Sequence, residues 1–215
     1  MTEQNLGNIL VAERDWRMQE MEFCKKIPFL YTTQNFRQHI DQFWRLCVPI
    51  IYAHWEGFVV AAMKSVVDYV NDIQVPYYMA PKHMVLLDNK ARFGYLQGNC
   101  TLEQQSRFLD EFLQAQANGI HINRALISAN SKLNYVQLEK MLAYFGIELS
   151  PALVSNKQGI EKLVWYRNSI AHGENSIQVT QKEIEYFIDC IIKCVDEIII
   201  LLLRYITELN HMLHR

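Results

Sequence analysis

Apolar residues recur along most of this chain at steps of three and four, the spacing of one face of an α-helix. Leu6, Ile9, Leu10, Trp16, Met21 and Cys24 predict a first helix over about Thr2–Lys25, with Pro28 as its stop. A second, longer helix is predicted from about Asn35 to Asn71 on the stripe Trp44, Val48, Ile51, Trp55, Phe58 and Ala62. Pro49 lies inside it, where the ring removes one backbone bond and predicts a kink. Residues 72–100 lose the periodicity and carry Pro76, Pro81, Gly94 and Gly98, which reads as an irregular connection with a short helix around Lys82–Asp88. Thr101 with Gln104 is a capping box for a helix to about Ala117. Asn134 with Gln137 does the same for a segment ending near Tyr144, with Gly146 as its C-terminal stop. Ser155 with Gln158 is read as the start of the next helix, which Gly173 closes. Thr180 with Glu183 then opens the longest periodic run, Ile184, Ile188, Ile191, Val195, Ile198, Leu202, Tyr205, Leu209 and Met212. A repeat near 3.5 residues is that of a bundle or coiled-coil seam. Phe187, Ile192, Ile199, Leu203 and Ile206 widen it, so this helix is expected to be buried on more than one side. The expected fold is all-α: residues 1–215 as one bundle of about five to seven helices with a long C-terminal helix.

Composition narrows the picture without changing it. With 215 residues, 50% of them hydrophobic and 20% charged, the chain can bury a sizeable core. Eight Gly and five Pro are too few for the turns of a β-sandwich. Twenty-one basic against 23 acidic residues, net −2, exclude a polycation that coats nucleic acid by bulk charge. The five cysteines have no CxxC spacing and read as reduced packing residues of a cytoplasmic protein. No closely paired set of four metal ligands is visible, so neither a metal nor a cofactor is expected. The oiliest stretch, Ile198–Leu203, is six residues long, far short of the ~20 that span a bilayer. The N-terminus has no apolar leader segment, and no membrane association is expected.

Gly-rich phosphate loops, HExxH, GxSxG and EF-hand patterns are all missing. The candidate chemistry lies in Leu163-Val164-Trp165-Tyr166-Arg167-Asn168-Ser169-Ile170-Ala171-His172-Gly173. One reading is bland, with Arg167 a surface cation and His172 a residue that suits the C-terminal end of a helix. The other is chemical. Cleaving RNA at a 2′-hydroxyl needs a proton acceptor, a cation on the phosphate and a donor that aligns the scissile bond. His172 can take or give a proton, Arg167 can grip phosphate through a planar fork, and Asn168 can orient either. On a regular helix Arg167 and His172 point about 140° apart, whereas Asn168 and His172 share a face. Arg167 must reach around, the helix must loosen, or two copies of the motif must complete each other across a dimer.

Glu56 is the secondary candidate, a carboxylate between Trp55 and Phe58 that should not be buried unpaired. It either orients Arg167 or His172, or sits at the solvent edge beside a cation such as Lys64. His54 reads as a packed or surface residue, and the remaining histidines show no partner spacing. Lys82, Lys90, Arg92, Lys157 and Lys162 are candidate phosphate contacts, diluted by Glu161 and Glu174.

R-N-x-x-x-H followed by Gly, at the end of a helix in an all-α chain, resembles the ribonuclease signature of the HEPN superfamily. Arg167, Asn168 and His172 match that pattern. The segment Tyr52-Ala53-His54-Trp55-Glu56-Gly57-Phe58 also resembles the MAE-type HEPN proteins of toxin–antitoxin and defence loci. The resemblance implies a metal-independent endoribonuclease acting as a homodimer on RNA, leaving products that end in a cyclic phosphate, with an antitoxin or neighbouring-gene partner. It implies Arg167, Asn168 and His172 as catalytic residues. Some such toxins carry a Tyr two residues after the His, where a partner can modify them. Here that position is Glu174, which puts silencing by that route in doubt. Two other readings remain open at this point: a non-catalytic RNA-binding or partner-binding module, and a helical protein whose terminal heptads make a dimer.

Overall fold

The computed structural model describes residues 1–30, 39–130 and 132–214. Among them are eight α-helices and no strand: α1 Glu3–Leu30, α2 Ile40–Asp72, α3 Lys82–Asp88, α4 Leu102–Asn118, α5 Tyr135–Ala143, α6 Pro151–Ser155, α7 Lys157–Ala171 and α8 Gln181–Leu213. Short 3₁₀ turns lie at Tyr77–Met79, Arg92–Leu96 and Arg124–Leu126. The all-α expectation holds. The short helix expected around Lys82–Asp88 is α3, and the count exceeds five to seven by one, α6, which is too short to carry a periodic stripe of its own.

Three long helices, α1, α2 and α8, pack against one another, and α7 lies against α2 and α8. Their apolar faces merge into one core around Trp55, Phe58, Phe187 and Leu10, none of which exposes measurable surface. The α8 stripe is spent inside the chain. Ile184, Ile188, Ile191, Val195, Ile198, Leu202, Tyr205 and Leu209 are all buried, and so is the flanking Phe187. α8 is thus the bundle's own central helix, and its heptad pattern is no argument for an intermolecular seam. The most apolar helix is α2 rather than α8. It alone among the described residues is long and apolar enough to cross a membrane, and over half of that apolar window is buried in the bundle.

Local signals explain most boundaries. Thr101 and Thr180 each accept a bond from the backbone three residues on, with Gln104 and Glu183 reaching back to close the box. Asn134 caps α5 through the Gln137 N–H, and Gly146 follows at φ +66°.

Two expectations need correction. Pro28 does not stop α1, which runs on to Leu30. A proline's φ is itself helical, so near a helix end it removes one bond without diverting the chain. Ser155 does not cap α7. It is the last residue of α6, its hydroxyl bonded to the Ala152 carbonyl at 2.8 Å, and α7 starts after Asn156. The working signal is Ser150-Pro151, a cap followed by proline in the first turn. Pro49 lies inside α2, as expected, and the helix continues through it; the expected start at Asn35 lies outside the described residues.

α7 meets α8 at close range through Gly159. A Cβ there would stand 2.4 Å from the Cys190 sulfur, so only glycine permits this approach. At the other end of the molecule, α4 packs mainly on the 3₁₀ turn at 92–96, through Phe93, Phe108 and Phe112, whose rings stack at 5.8 Å.

Candidate functional site

The last turn of α7 is built by a Schellman ending. The Gly173 N–H bonds the Ile170 carbonyl at 3.1 Å and the Glu174 N–H bonds the Ser169 carbonyl at 3.0 Å, with Gly173 at φ +79°. His172 is therefore the C-cap, and its side chain is exposed. The strand of chain that follows is tethered to α2: Arg45 donates to the Glu174 carbonyl at 2.7 Å and to the Ile177 carbonyl at 2.6 Å. Further back, Tyr166 hydrogen-bonds Glu183 at the start of α8. Burial and that bond push the Tyr166 hydroxyl up to about 12. The bonds Glu183 receives from Tyr166, from the Thr180 N–H and from Lys162 outweigh its burial and hold its carboxyl below the usual value.

Arg167 points to α2, not to His172. Its guanidinium carbon lies 4.8 Å from the centre of the Tyr52 ring, a cation–π contact, and Nη1 donates to Asn168 Oδ1 at 3.0 Å. No carboxylate pairs with it among the described residues. Asn168 is half-buried and engaged by Arg167, while no hydrogen bond or ring contact joins the His172 side chain to either residue among those described. Arg167 and Asn168 are thus brought together, and His172 stands apart at the helix tip. This is the divergence that helical geometry requires of residues five apart.

Glu56 is half-buried and accepts a bond from the Tyr52 hydroxyl at 2.5 Å. No hydrogen bond or ion pair joins it to Arg167 or Lys64 among the described residues, and the partner it shares with Arg167 is Tyr52. Tyr52 is the hub that sequence reasoning missed. Only 3% exposed, it carries Arg167 on its ring, donates to Glu56, and accepts the Leu133 backbone N–H at 2.7 Å. Burial first, then the Glu56 bond, pushes its hydroxyl well above the ordinary tyrosine value. Trp55 grips the same residue from the other side, donating to the Leu133 carbonyl at 3.2 Å.

The rest of residues 52–58 joins α2 to α1. His54 is buried with its Nε2 3.1 Å from a Glu20 oxygen and its ring edge-on to Trp16, which bears out its reading as a packed residue. Gly57 leaves room for Arg17, whose Nη2 would sit 3.4 Å from a Cβ there. Arg17 is buried, bonded to Glu13 and stacked at 4.2 Å over Trp16.

A groove of about 580 Å³ runs along this face of α2. Tyr52, Glu56 and Arg167 line it at one end, Lys64 and Arg124 at the other. The lysines and arginine named from sequence as phosphate contacts lie elsewhere. Arg92 is paired with Asp88, Lys162 with Glu183, Lys90 with the Tyr144 hydroxyl and ring, and Lys157 lies over Tyr135. Lys82 is exposed and does not line the groove.

A polar helix end, an unpaired arginine and an all-α bundle together fit a known pattern. The sequence profile of the RiboL-PSP-HEPN family matches residues 12–204, from the third turn of α1 to the last third of α8. The chain belongs to the RiboL-PSP-HEPN family. Its place in the HEPN superfamily, expected from R-N-x-x-x-H, is thereby shown. The match does not bear on the MAE-type likeness of residues 52–58. No curated protein and no solved structure matches the chain.

In this RiboL-PSP-HEPN chain the matched stretch includes both Arg167–His172 and the α2 segment beneath it. Tyr52 was legible only as a partner of Glu56, four residues apart on one helix face. Lys64 and Arg124 had no signal as a pair, because they meet only once the 3₁₀ turn at 124–126 is folded against α2.

Proposed function

We propose that this RiboL-PSP-HEPN protein is a metal-independent endoribonuclease, acting as the toxin of a toxin–antitoxin or phage-defence system. Arg167 holds the charge of the scissile phosphate, Asn168 fixes the guanidinium, and His172 moves protons. The 2′-oxygen forms a bond to phosphorus as the 5′-oxygen leaves. The 2′-hydroxyl gives up its proton to a basic imidazole, and the leaving oxygen takes one from an acidic imidazole. The products are a 2′,3′-cyclic phosphate and a 5′-hydroxyl. One chain supplies a single His172, set apart from Arg167, so the site is completed by the same residues of a second copy in a homodimer.

The observation that carries this reading is Arg167: a half-buried guanidinium with no carboxylate partner among the described residues, held by Tyr52 and Asn168 at the mouth of a groove. A cation kept unneutralised at a cost in desolvation is what an incoming phosphate requires. The separation of His172 from Arg167 favours one second reading, a non-catalytic HEPN module whose motif binds RNA or a protein partner.

Purified protein incubated with RNA in EDTA separates the two. His172→Ala and Arg167→Ala are each expected to lower cleavage by about 10²–10⁴, with the helical CD spectrum unchanged. Wild-type protein that leaves both folded and unfolded RNA intact, and is harmless when expressed, establishes the second reading. Light scattering at micromolar concentration is expected to give twice the chain mass, and a monomer removes the shared site.

A further inference from the structure

The groove extends well past the motif. Arg167 sits over Tyr52, and Lys64 lies twelve residues further along α2, about 18 Å at the rise of an α-helix. Arg124 reaches the same far end from the 3₁₀ turn at 124–126. The two cations at the far end differ in how they are held. Lys64 has no polar partner among the described residues, while Arg124 Nε stands 3.3 Å from Asp68 and both remain partly exposed. The two carboxylates at hand are engaged, Glu56 by the Tyr52 hydroxyl and Asp68 by Arg124. Between the ends, Ala53 and Gly57 present nothing longer than a methyl group. The groove therefore runs on from Arg167, and its lining carries three cations, Arg167, Lys64 and Arg124, against one carboxylate, Glu56.

We propose that this groove is the binding track for unpaired RNA: one backbone phosphate lies at Arg167 and another, a few nucleotides away, at Lys64 and Arg124. The proposal rests on the ribonuclease reading for the first phosphate. It adds the substrate class, a single strand, and the direction in which it lies. Phosphate contacts of this kind fix register without reading sequence, and two ends some 18 Å apart suit a strand of several unpaired nucleotides.

Anisotropy of a short fluorescein-labelled oligouridylate tests the track, using His172→Ala protein so that nothing is cleaved, from ~50 to ~200 mM salt. Lys64→Gln and Arg124→Gln are each expected to weaken binding and to flatten the salt slope by about 0.7. Ala61→Lys, which adds a cation to the groove one turn before Lys64, is expected to tighten binding and steepen the slope by a similar amount, a gain that no folding defect imitates. Unchanged affinity and slope in all three variants overturn the proposal. So does equal binding of a duplex of the same length, or a change of oligomeric mass on Ala61→Lys, which makes the face a contact between copies. Cleavage that is indifferent to Lys64 and Arg124 sinks the track and leaves the ribonuclease standing. Groove-dependent binding by a wild-type protein that cuts nothing does the reverse.

Discussion

Removing one oxygen from Tyr52 is expected to cost more than its size suggests. In Tyr52→Phe the ring stays, so the Arg167 guanidinium keeps its cation–π surface. What goes is a hydroxyl with two partners: it accepts the buried Leu133 N–H at 2.7 Å and donates to Glu56 at 2.5 Å. Leu133 is fully buried, and water cannot replace the lost acceptor without entering the core. An orphaned buried N–H costs about 1–3 kcal/mol, and the bond to a half-exposed carboxylate adds about 1, for a total of roughly 2–4 kcal/mol. For a chain of this length each kcal/mol lowers Tm by about 2–4 °C, so the midpoint should fall by roughly 5–15 °C. Thermal unfolding followed by CD at 222 nm measures it, with Glu56→Gln as the companion. Glu56→Gln keeps an acceptor for the hydroxyl and should lower Tm by no more than ~2–4 °C, since about 1 kcal/mol is at stake. A Tyr52→Phe midpoint within a degree or so of wild type refutes the reasoning. It would mean that Leu133 finds another acceptor and that Tyr52 is no hub.

Two further perturbations follow from the packing. Gly159→Ala drives a methyl to 2.4 Å from the Cys190 sulfur and should destabilise by about 1–3 kcal/mol in urea unfolding. Adding Cys190→Ala should recover most of that loss, and failure of the rescue would place the strain elsewhere. Stability should also fall on mild acidification. Burial holds both His54 and His83 below the ordinary histidine value, Glu20 partly offsetting this for His54 while Arg17 adds to it. The unfolded chain therefore takes up protons first, near pH ~6.5. Their contribution is complete above that pH and is lost as pH drops through the lower folded values. Tm should decline between pH 7.5 and 5.5, and a His54→Gln/His83→Gln variant should show a flatter profile there. Glu183, held below the usual carboxylate value, loses its contribution in a separate and more acidic window.

What the sequence made legible is what local chemistry decides. Thr101, Asn134 and Thr180 announce their helices because a cap needs only its own neighbours. The α8 stripe predicted burial on several sides, and Arg167 with Asn168 stood out as adjacent polar residues near a helix end. The pattern did not say what would cover α8, and the partners proved to be α1, α2 and α7 rather than a second copy. Residues 163–173 likewise fix the divergence of Arg167 from His172, but not that Arg167 would settle on Tyr52, over a hundred positions away. Lys64, Arg124 and Leu133 join the site through tertiary contacts between segments that carry no shared spacing. Ser155 misled because two serines stand five apart, and the proline beside Ser150 decides between them.

Arg45 grips the segment after His172 by two main-chain oxygens, those of Glu174 and Ile177. Every amino acid carries the same carbonyl, so this anchorage does not read which side chains occupy positions 174–177. Glu174, Asn175 and Ser176 are exposed and can be exchanged without loosening this anchorage, whereas Ile177 is buried in the core. The surface beside the motif is thereby free to diversify while His172 stays where it is.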